Sequence, residues 1–334
     1  MNKTYPISNR RIRLSPQARA LTREITLTPQ KMMQPLFVVE GIRSREVIPG
    51  LSGADGKGTH RDTPDTVLRQ IESDLEAGVK NFLLFGVPGT KSTQDFDFDF
   101  TSKQLSEIKK RFGQDVFLAV DVCLCSYTSH EQCGILNDAL DHVMNQETVH
   151  SLARCALAYA LAGADCVAPS DMMDHRVRAI RELLDQNKLE KTLLMSYSAK
   201  FHSGFYGPFR VAADSAPKGD VKLKDRATYQ IDPANPSDAL RSSLRDAEEG
   251  ADILMVKPGL PYLDVLKQLS DEIPLPWAVY EVSGEYASIE LMAEKGLINR
   301  ERAHLETWTA FARAGAQIII TYGARHAQEW IKAL

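Results

Sequence analysis

Short apolar runs recur along the chain and alternate with longer stretches whose apolar residues repeat every three or four positions. The runs span 36–39, 82–85, 116–122, 166–168, 193–195, 253–256, 278–282 and 318–321. They predict eight strands, and most show little alternation, as strands buried on both faces should. Helices are predicted over 64–76, 102–111, 147–161, 176–186, 237–249, 262–269, 287–294 and 300–313. Asp62 or Thr63 before Pro64, and Asn235 before Pro236, are helix-start signals. Gly78, Gly163, Gly250 and Gly315 each follow a predicted helix and precede an apolar run. Glycine suits the left-handed residue that ends a helix. Four such closures predict one repeated helix-to-strand geometry, and eight alternating units predict an α/β fold, the (β/α)8 TIM barrel. A doubly wound open sheet is the alternative, but no G-x-G-x-x-G follows the first run.

Residues 1–33 break the pattern. Arg10, Arg11, Arg13, Arg19 and Arg23 mix with Pro6, Pro16 and Pro29. Leu14, Ala18, Leu21 and Ile25 offer enough apolar surface to dock. We expect an N-terminal arm that packs on a partner subunit rather than a frayed terminus. Residues 34–334 are then the barrel domain. Within it, the glycine-punctuated stretch after Lys200, through Gly204, Gly207, Pro208 and Lys218-Gly219, is long enough to be a lid over 201–230.

Composition narrows the function. The 334 residues carry 40 basic and 44 acidic side chains, a net charge of −4, so nucleic acid is not an expected partner. No apolar run approaches the roughly 20 residues of a membrane span, and the first residues lack a signal-peptide pattern. Five cysteines, an odd number, are too few for a disulfide scaffold; a reducing, cytoplasmic setting is expected.

Barrel enzymes place their chemistry at the C-terminal ends of the strands. The third run ends in Asp121-Val122-Cys123-Leu124-Cys125, and the next runs are followed by Ser170, Lys200, Lys257, Ser283 and Tyr322. Cys123, Cys125 and Cys133 form C-x-C-x7-C. Three thiolates can converge on one Zn²⁺ and leave a fourth position for water or substrate, although three unrelated free thiols account equally well for the spacing alone. His130 and Glu131 are further ligand candidates, or supporting or surface residues. Cys155 and Cys166 read as buried apolar residues. An isolated strand-end lysine is usually a surface cation. Two facing one barrel mouth depress each other's pKa, which favours Schiff-base chemistry on a carbonyl. Arg210 and Arg226 in the long loop can clamp a carboxylate, or merely make the loop basic.

These segments together resemble one family. D-V-C-L-C-S-Y-T-S-H-E-Q-C-G at 121–134, A-P-S-D-M-M-D at 168–174, M-S-Y-S-A-K-F at 195–201, F-Y-G-P-F-R at 205–210, M-V-K-P-G at 255–259 and V-S-G-E-Y-A at 282–287 are similar to 5-aminolaevulinic acid dehydratases, or porphobilinogen synthases. The likeness runs from about Arg10 onward. It implies a lyase that condenses two 5-aminolaevulinate molecules to porphobilinogen in tetrapyrrole (haem) biosynthesis, usually as a homo-octamer built through the arm. It implies Lys257 as principal Schiff-base former and Lys200 as the second. Cys123, Cys125 and Cys133 match the zinc ligands. Arg210, Arg226 and Gln230 match residues binding one substrate carboxylate, and Ser283 and Tyr322 those binding the other. Asp121 and Ser170 fall where the second substrate's amino group lies, and Tyr206 joins the substrate-binding set. Three departures stand out. Ser242 occupies the position of the glutamate that binds an allosteric Mg²⁺ in some members, which argues against that Mg²⁺ here. The stretch between Arg210 and Arg226 is longer than in common members. Glu281 stands where an amide or histidine is commoner, and is expected to alter the acid–base balance near Ser283. A class I aldolase would use Lys257 but leaves the cysteines and Lys200 unexplained. A zinc- or redox-sensing protein would use the cysteines alone.

Overall fold

The computed structural model describes residues 10–53, 56–219 and 221–332. All eight predicted strands form. The chain runs through α1 (Pro16–Leu21), β1 (Met32–Val39), the short strands β2 (Glu46–Val47) and β3 (His60–Asp62), α2 (Pro64–Glu76), β4 (Asn81–Val87), α3 (Asp99–Phe112) and β5 (Phe117–Val122). It continues through α4 (Asn145–Leu161), β6 (Cys166–Pro169), α5 (Arg176–Gln186), β7 (Leu193–Lys200), α6 (Gly207–Ala212), α7 (Pro236–Glu248) and β8 (Ile253–Lys257). Last come α8 (Leu263–Glu272), β9 (Trp277–Tyr280), α9 (Ser283–Glu294), α10 (Arg300–Arg313), β10 (Ile318–Ile320) and α11 (Ala327–Lys332). The strands β1, β4, β5, β6, β7, β8, β9 and β10 pair in that order, all parallel, and β10 returns to pair with β1. This is a closed (β/α)8 barrel. β2 and β3 are an addition that sequence periodicity did not predict; at two and three residues they are too short to show one.

Strand alternation makes two cores. Leu36, Val38, Leu84, Val120, Leu254 and Val256 point outward into the layer shared with the helices. Phe37, Phe85, Ala119, Tyr197, Met255, Tyr280 and Tyr322 point into the barrel. Each fully buried large side chain contributes about 1.5–3 kcal/mol. Gly78, Gly163, Gly250 and Gly315 all have positive φ, between +86° and +109°, as the helix closures required. The described helices include none long and apolar enough to cross a membrane.

One irregularity decides where chemistry can sit. Between Ser196 and Ala199 the register of β7 slips against β8: Ser196 pairs with Leu254 but Ala199 with Val256. Strict alternation from the inward Tyr197 would put Ala199 inside and Lys200 outside. The extra residue reverses this, so Ala199 packs in the outer layer with Val256, and Lys200 comes opposite Lys257. A bulge leaves a backbone group without its ladder partner. Here the fully buried Arg176 donates from Nη2 to the Tyr197 carbonyl at 3.3 Å and to Ser196 Oγ at 3.0 Å. Asp246 balances that guanidinium at 3.1 Å, Asp171 lies 3.5 Å away, and Ser196 Oγ donates to Asp246 at 2.6 Å.

Removing one partner from a buried ion cluster costs about 3–5 kcal/mol. Arg176→Leu is therefore expected to lower the unfolding free energy by about that amount, measured by urea denaturation. A loss below about 1 kcal/mol would show that the bulge does not need its guanidinium.

Candidate active site at the barrel mouth

The strand ends converge on one buried cluster. β7 and β8 supply Lys200 and Lys257 as register partners, β5 supplies Asp121, and Ser170 follows β6, its N–H bonded to the Val122 carbonyl at 3.0 Å. Lys200 Nζ donates to the Ser170 carbonyl and lies 5.6 Å from the Tyr197 ring centre. Lys257 Nζ sits among four rings, 4.1 Å from Tyr280, 4.9 Å from Phe209, 5.0 Å from Tyr197 and 5.5 Å from Tyr206. Ring faces attract an ammonium by about 0.5–2 kcal/mol each. Burial acts the other way and, with the Lys200 charge, wins: the Lys257 amine is pushed down from 10.5 to about 7. At pH 7 the neutral fraction rises from about one in three thousand to about half. Burial raises the Asp121 carboxyl, opposed by Lys200, Lys257 and a hydrogen bond with Ser170.

The thiols of Cys123, Cys125 and Cys133 lie within 4.8 Å of one another, all buried. They are not paired as disulfides. Hydrogen bonds from Cys123 and Cys125 hold Cys133 well below the usual thiol range, helped by Arg226 and Lys200. Burial pushes Cys123 up, and Cys125 rises to about 11. His130 and Glu131 stay outside this cluster: His130 Nδ1 accepts from the Gln132 amide at 3.1 Å, and Glu131 faces lysines. Cys155 and Cys166 are buried, as expected.

Arg226 of the long loop stands near the thiols, and Arg210 near Arg226. Arg226 is buried and donates from Nη2 to the carbonyls of Glu131 and Ser215, at 2.9 and 2.7 Å. Its Nε, the Nε of Arg210 and both amide atoms of Gln230 have no hydrogen-bond partner among the described residues. Tyr206 donates its hydroxyl to the Phe201 carbonyl at 2.7 Å, so its ring faces Lys257. Ser283 Oγ accepts from the Phe209 amide at 3.0 Å. Tyr322 and Tyr280 hydroxyls meet at 3.2 Å.

The expectation for Glu281 holds through charge and not through contact: its carboxylate adds to burial in raising Glu285 and Tyr322, without bonding Ser283. Glu281 follows the inward Tyr280 and so turns outward into the helix layer. It accepts from Trp308 Nε1 at 3.0 Å and Thr321 Oγ1 at 2.5 Å, with His304 3.5 Å away. It makes no hydrogen bond to Ser283, whose polar partners come from the 205–209 turn. The acidic group that does support the site is Glu285. It accepts from the amides of Val282, Leu260 and Gly259 at 2.6, 2.5 and 3.3 Å, tying the ends of β8 and β9 together. Burial pushes its carboxyl up to about 8 against the pull of those amides. The aromatic cage of Tyr197, Phe209 and Tyr280 also escaped sequence reasoning; only the first and last had a signal, as polar-tipped aromatics in core strands.

Fold and site together define a (β/α)8-barrel enzyme with its polar centre at the strand ends. A family profile for delta-aminolevulinic acid dehydratase matches residues 7–330. The chain belongs to that family, lyases also called porphobilinogen synthases. The dehydratase of Bacillus subtilis (strain 168) is 40% identical over 327 residues, covering 97% of each chain. That of Helicobacter pylori (strain J99) is 42% identical over 324 residues, 95% of this chain and 96% of its own. The Toxoplasma gondii ME49 enzyme, solved with its reaction product porphobilinogen, superposes with a TM-score of 0.92 at 39% identity, covering 98% of this chain and 92% of that one.

At pH 9, above the value of about 8 to which Glu285 is raised, Glu285→Gln replaces one acceptor oxygen with a donor that faces N–H groups. It is expected to lower stability by about 1–3 kcal/mol and kcat by about tenfold or more, read by urea denaturation and pyrrole formation. Unchanged stability and rate would mean the two strand ends hold themselves.

Proposed function

We propose that the chain joins two 5-aminolaevulinate molecules into porphobilinogen, with loss of two waters, for tetrapyrrole (haem) synthesis in the cytoplasm. The observation that carries this reading is Lys257: a buried amine, half neutral at pH 7, opposite a second amine and beside a three-thiol cluster. The neutral Lys257 Nζ adds to a substrate ketone; the carbinolamine loses water, and the imine carbon then accepts electron density from its neighbour. Lys200 does the same for the other substrate. The carbon beside one imine loses a proton and attacks the carbon of the other imine, whose π electrons move to its nitrogen. That lysine then leaves as the amine with loss of a neighbouring proton. A substrate amino group displaces the other lysine by imine exchange, and loss of a ring proton gives the pyrrole. Asp121 and Ser170 hold the free amino group of the second substrate. Arg210, Arg226 and Gln230 bind one substrate carboxylate, which fits their unpaired polar atoms. Ser283 and Tyr322 bind the other carboxylate, and the Tyr206 ring packs beside the reacting amine. The lid over 201–230 keeps water out.

Three buried sulfur donors with two cations nearby fit a Zn²⁺ site that Cys123, Cys125 and Cys133 would hold. When bound, the ion supplies a Lewis acid at its fourth position. The Ser242 position does not fit the regulatory Mg²⁺ of some relatives. Its hydroxyl accepts from Arg245 Nη2 at 3.2 Å, and the same guanidinium bonds Asp174. Mg²⁺ asks for about six oxygens, so no Mg²⁺ enters this account. The arm supports assembly as a homo-oligomer, an octamer by family likeness. Ser15 caps α1, and Leu14 and Leu21 are 69% and 87% exposed, apolar surface that a partner subunit would cover. Residues 1–9 of the expected arm lie outside the described residues.

Metal-stripped protein is expected to form pyrrole from 5-aminolaevulinate only after Zn²⁺ is restored. Product without zinc would keep the reaction and demote the thiols. Lys257→Met is expected to lose turnover by about a thousandfold or more while retaining zinc. Full activity in that variant would remove Lys257 from its role.

A further inference from the structure

Glu131 lies in an unfavourable backbone conformation and still keeps a charged side chain fully inside. Its φ is +60°, the left-handed region that residues with a Cβ avoid. Its side chain is 1% exposed. Glycine would fit that backbone without steric strain. A buried carboxylate must be paired, and Glu131 is paired twice. Lys91, from the segment after β4, donates to Oε1 at 2.6 Å. Lys218, from the long loop, reaches the same oxygen. Lys91 also donates to the Asp214 carbonyl at 2.6 Å and lies 2.9 Å from its carboxylate. Asp214 is itself a left-handed residue, φ +44°. Two strained, non-glycine positions from separate parts of the chain thus meet at one lysine.

The surrounding hydrogen bonds give this junction a direction. The thiol loop and the long loop are sewn together along their length. Lys218 donates its N–H to the His130 carbonyl at 3.3 Å. Gln132 Nε2 donates to the Leu223 and Asp225 carbonyls at 2.9 and 3.2 Å. Arg226 holds the Glu131 carbonyl itself, so the backbone that carries the carboxylate also fixes a proposed carboxylate clamp. The amide contacts are modest singly. The Lys91–Glu131–Lys218 triad joins charge to charge across the seam.

We infer that Glu131 is a latch: its carboxylate bridges Lys91 on the barrel rim to Lys218 on the lid and holds the described lid residues 211–219 down over the thiol loop. Glu131 touches no reacting atom. It is a positioning residue that sets how often the lid opens, and through Arg226 it sets substrate retention. This inference rests on the dehydratase reading only for its substrate; the latch itself is present without substrate.

The test is hydrogen exchange of residues 211–219 by mass spectrometry, in zinc-loaded protein without substrate. Exchange of α2 serves as the control for global folding. Glu131→Gln keeps shape and removes charge; Glu131→Gly removes the carboxylate and relaxes the backbone. Both are expected to speed lid exchange about tenfold and leave α2 unchanged. Lys218→Met should do the same. In steady-state assays KM for 5-aminolaevulinate is expected to rise about as much, with kcat not reduced and zinc content unchanged. Unchanged lid exchange in both Glu131 variants would overturn the latch, as would slower exchange in Glu131→Gly, which would mean that the position only stores strain. Absence of porphobilinogen formation by the wild-type chain would instead overturn the reaction, leaving the exchange result to judge the latch alone.

Discussion

The site depends on a one-residue slip in β7. Parallel strands set Cα atoms about 4.8 Å apart, and their side chains alternate between the barrel interior and the helix layer. The bulge at 196–199 shifts that alternation by one, so Lys200 and Lys257 end up opposite each other. Without it Lys200 would face the helices. The bulge in turn requires a donor-rich anchor on its outer side, and the buried Arg176, with Asp246 and Asp171, provides it. A structural ion cluster on one face of the sheet therefore fixes a chemical pair on the other.

Bringing two amines, a guanidinium, a carboxylate and three thiols into one dry space makes each charge depend on the others. Lys257 gives up its proton because burial and Lys200 make the ammonium costly. Lys200 and Lys257 pull the Asp121 carboxyl down against burial, and Arg226 and Lys200 help the Cys123 and Cys125 hydrogen bonds pull the Cys133 thiol down. The aromatic rings around Lys257 complete the arrangement: they exclude water and offer only part of the stabilisation that an ammonium loses. The outcome is an amine that is available as a nucleophile at neutral pH, in a fold that keeps it dry.

Much of this is legible in the chain. Eight apolar runs and four glycine closures point to the barrel, because strand burial and left-handed helix ends leave direct marks on sequence. The helix predicted over 287–294 begins four residues earlier, since Ser283-Gly284 resembles a loop while Glu285 in fact caps its start. The strand-end residues carry a mark of their own, because a polar group stands at or just past the end of each of the last six apolar runs. The β7 bulge carries none, because an inserted residue in an apolar strand looks like any other. The outward direction of Glu281 is unreadable for the related reason that parity near a strand end cannot be counted without the register. Glu131 reads from sequence as a ligand candidate, a supporting residue or a surface residue; its partners, Lys91 and Lys218, lie 40 and 87 residues away in the chain.

The most direct test of the central claim is the pH dependence of reductive trapping. Zinc-loaded protein would be mixed with 5-aminolaevulinate and borohydride at a series of pH values, and the modified lysine counted by peptide mass spectrometry. Only the neutral amine adds to the ketone, so trapping at Lys257 should rise with pH and reach half its maximum near 7, where burial has placed this amine. A midpoint near the ordinary lysine value of about 10.4, or an adduct that bypasses Lys257, would contradict the account.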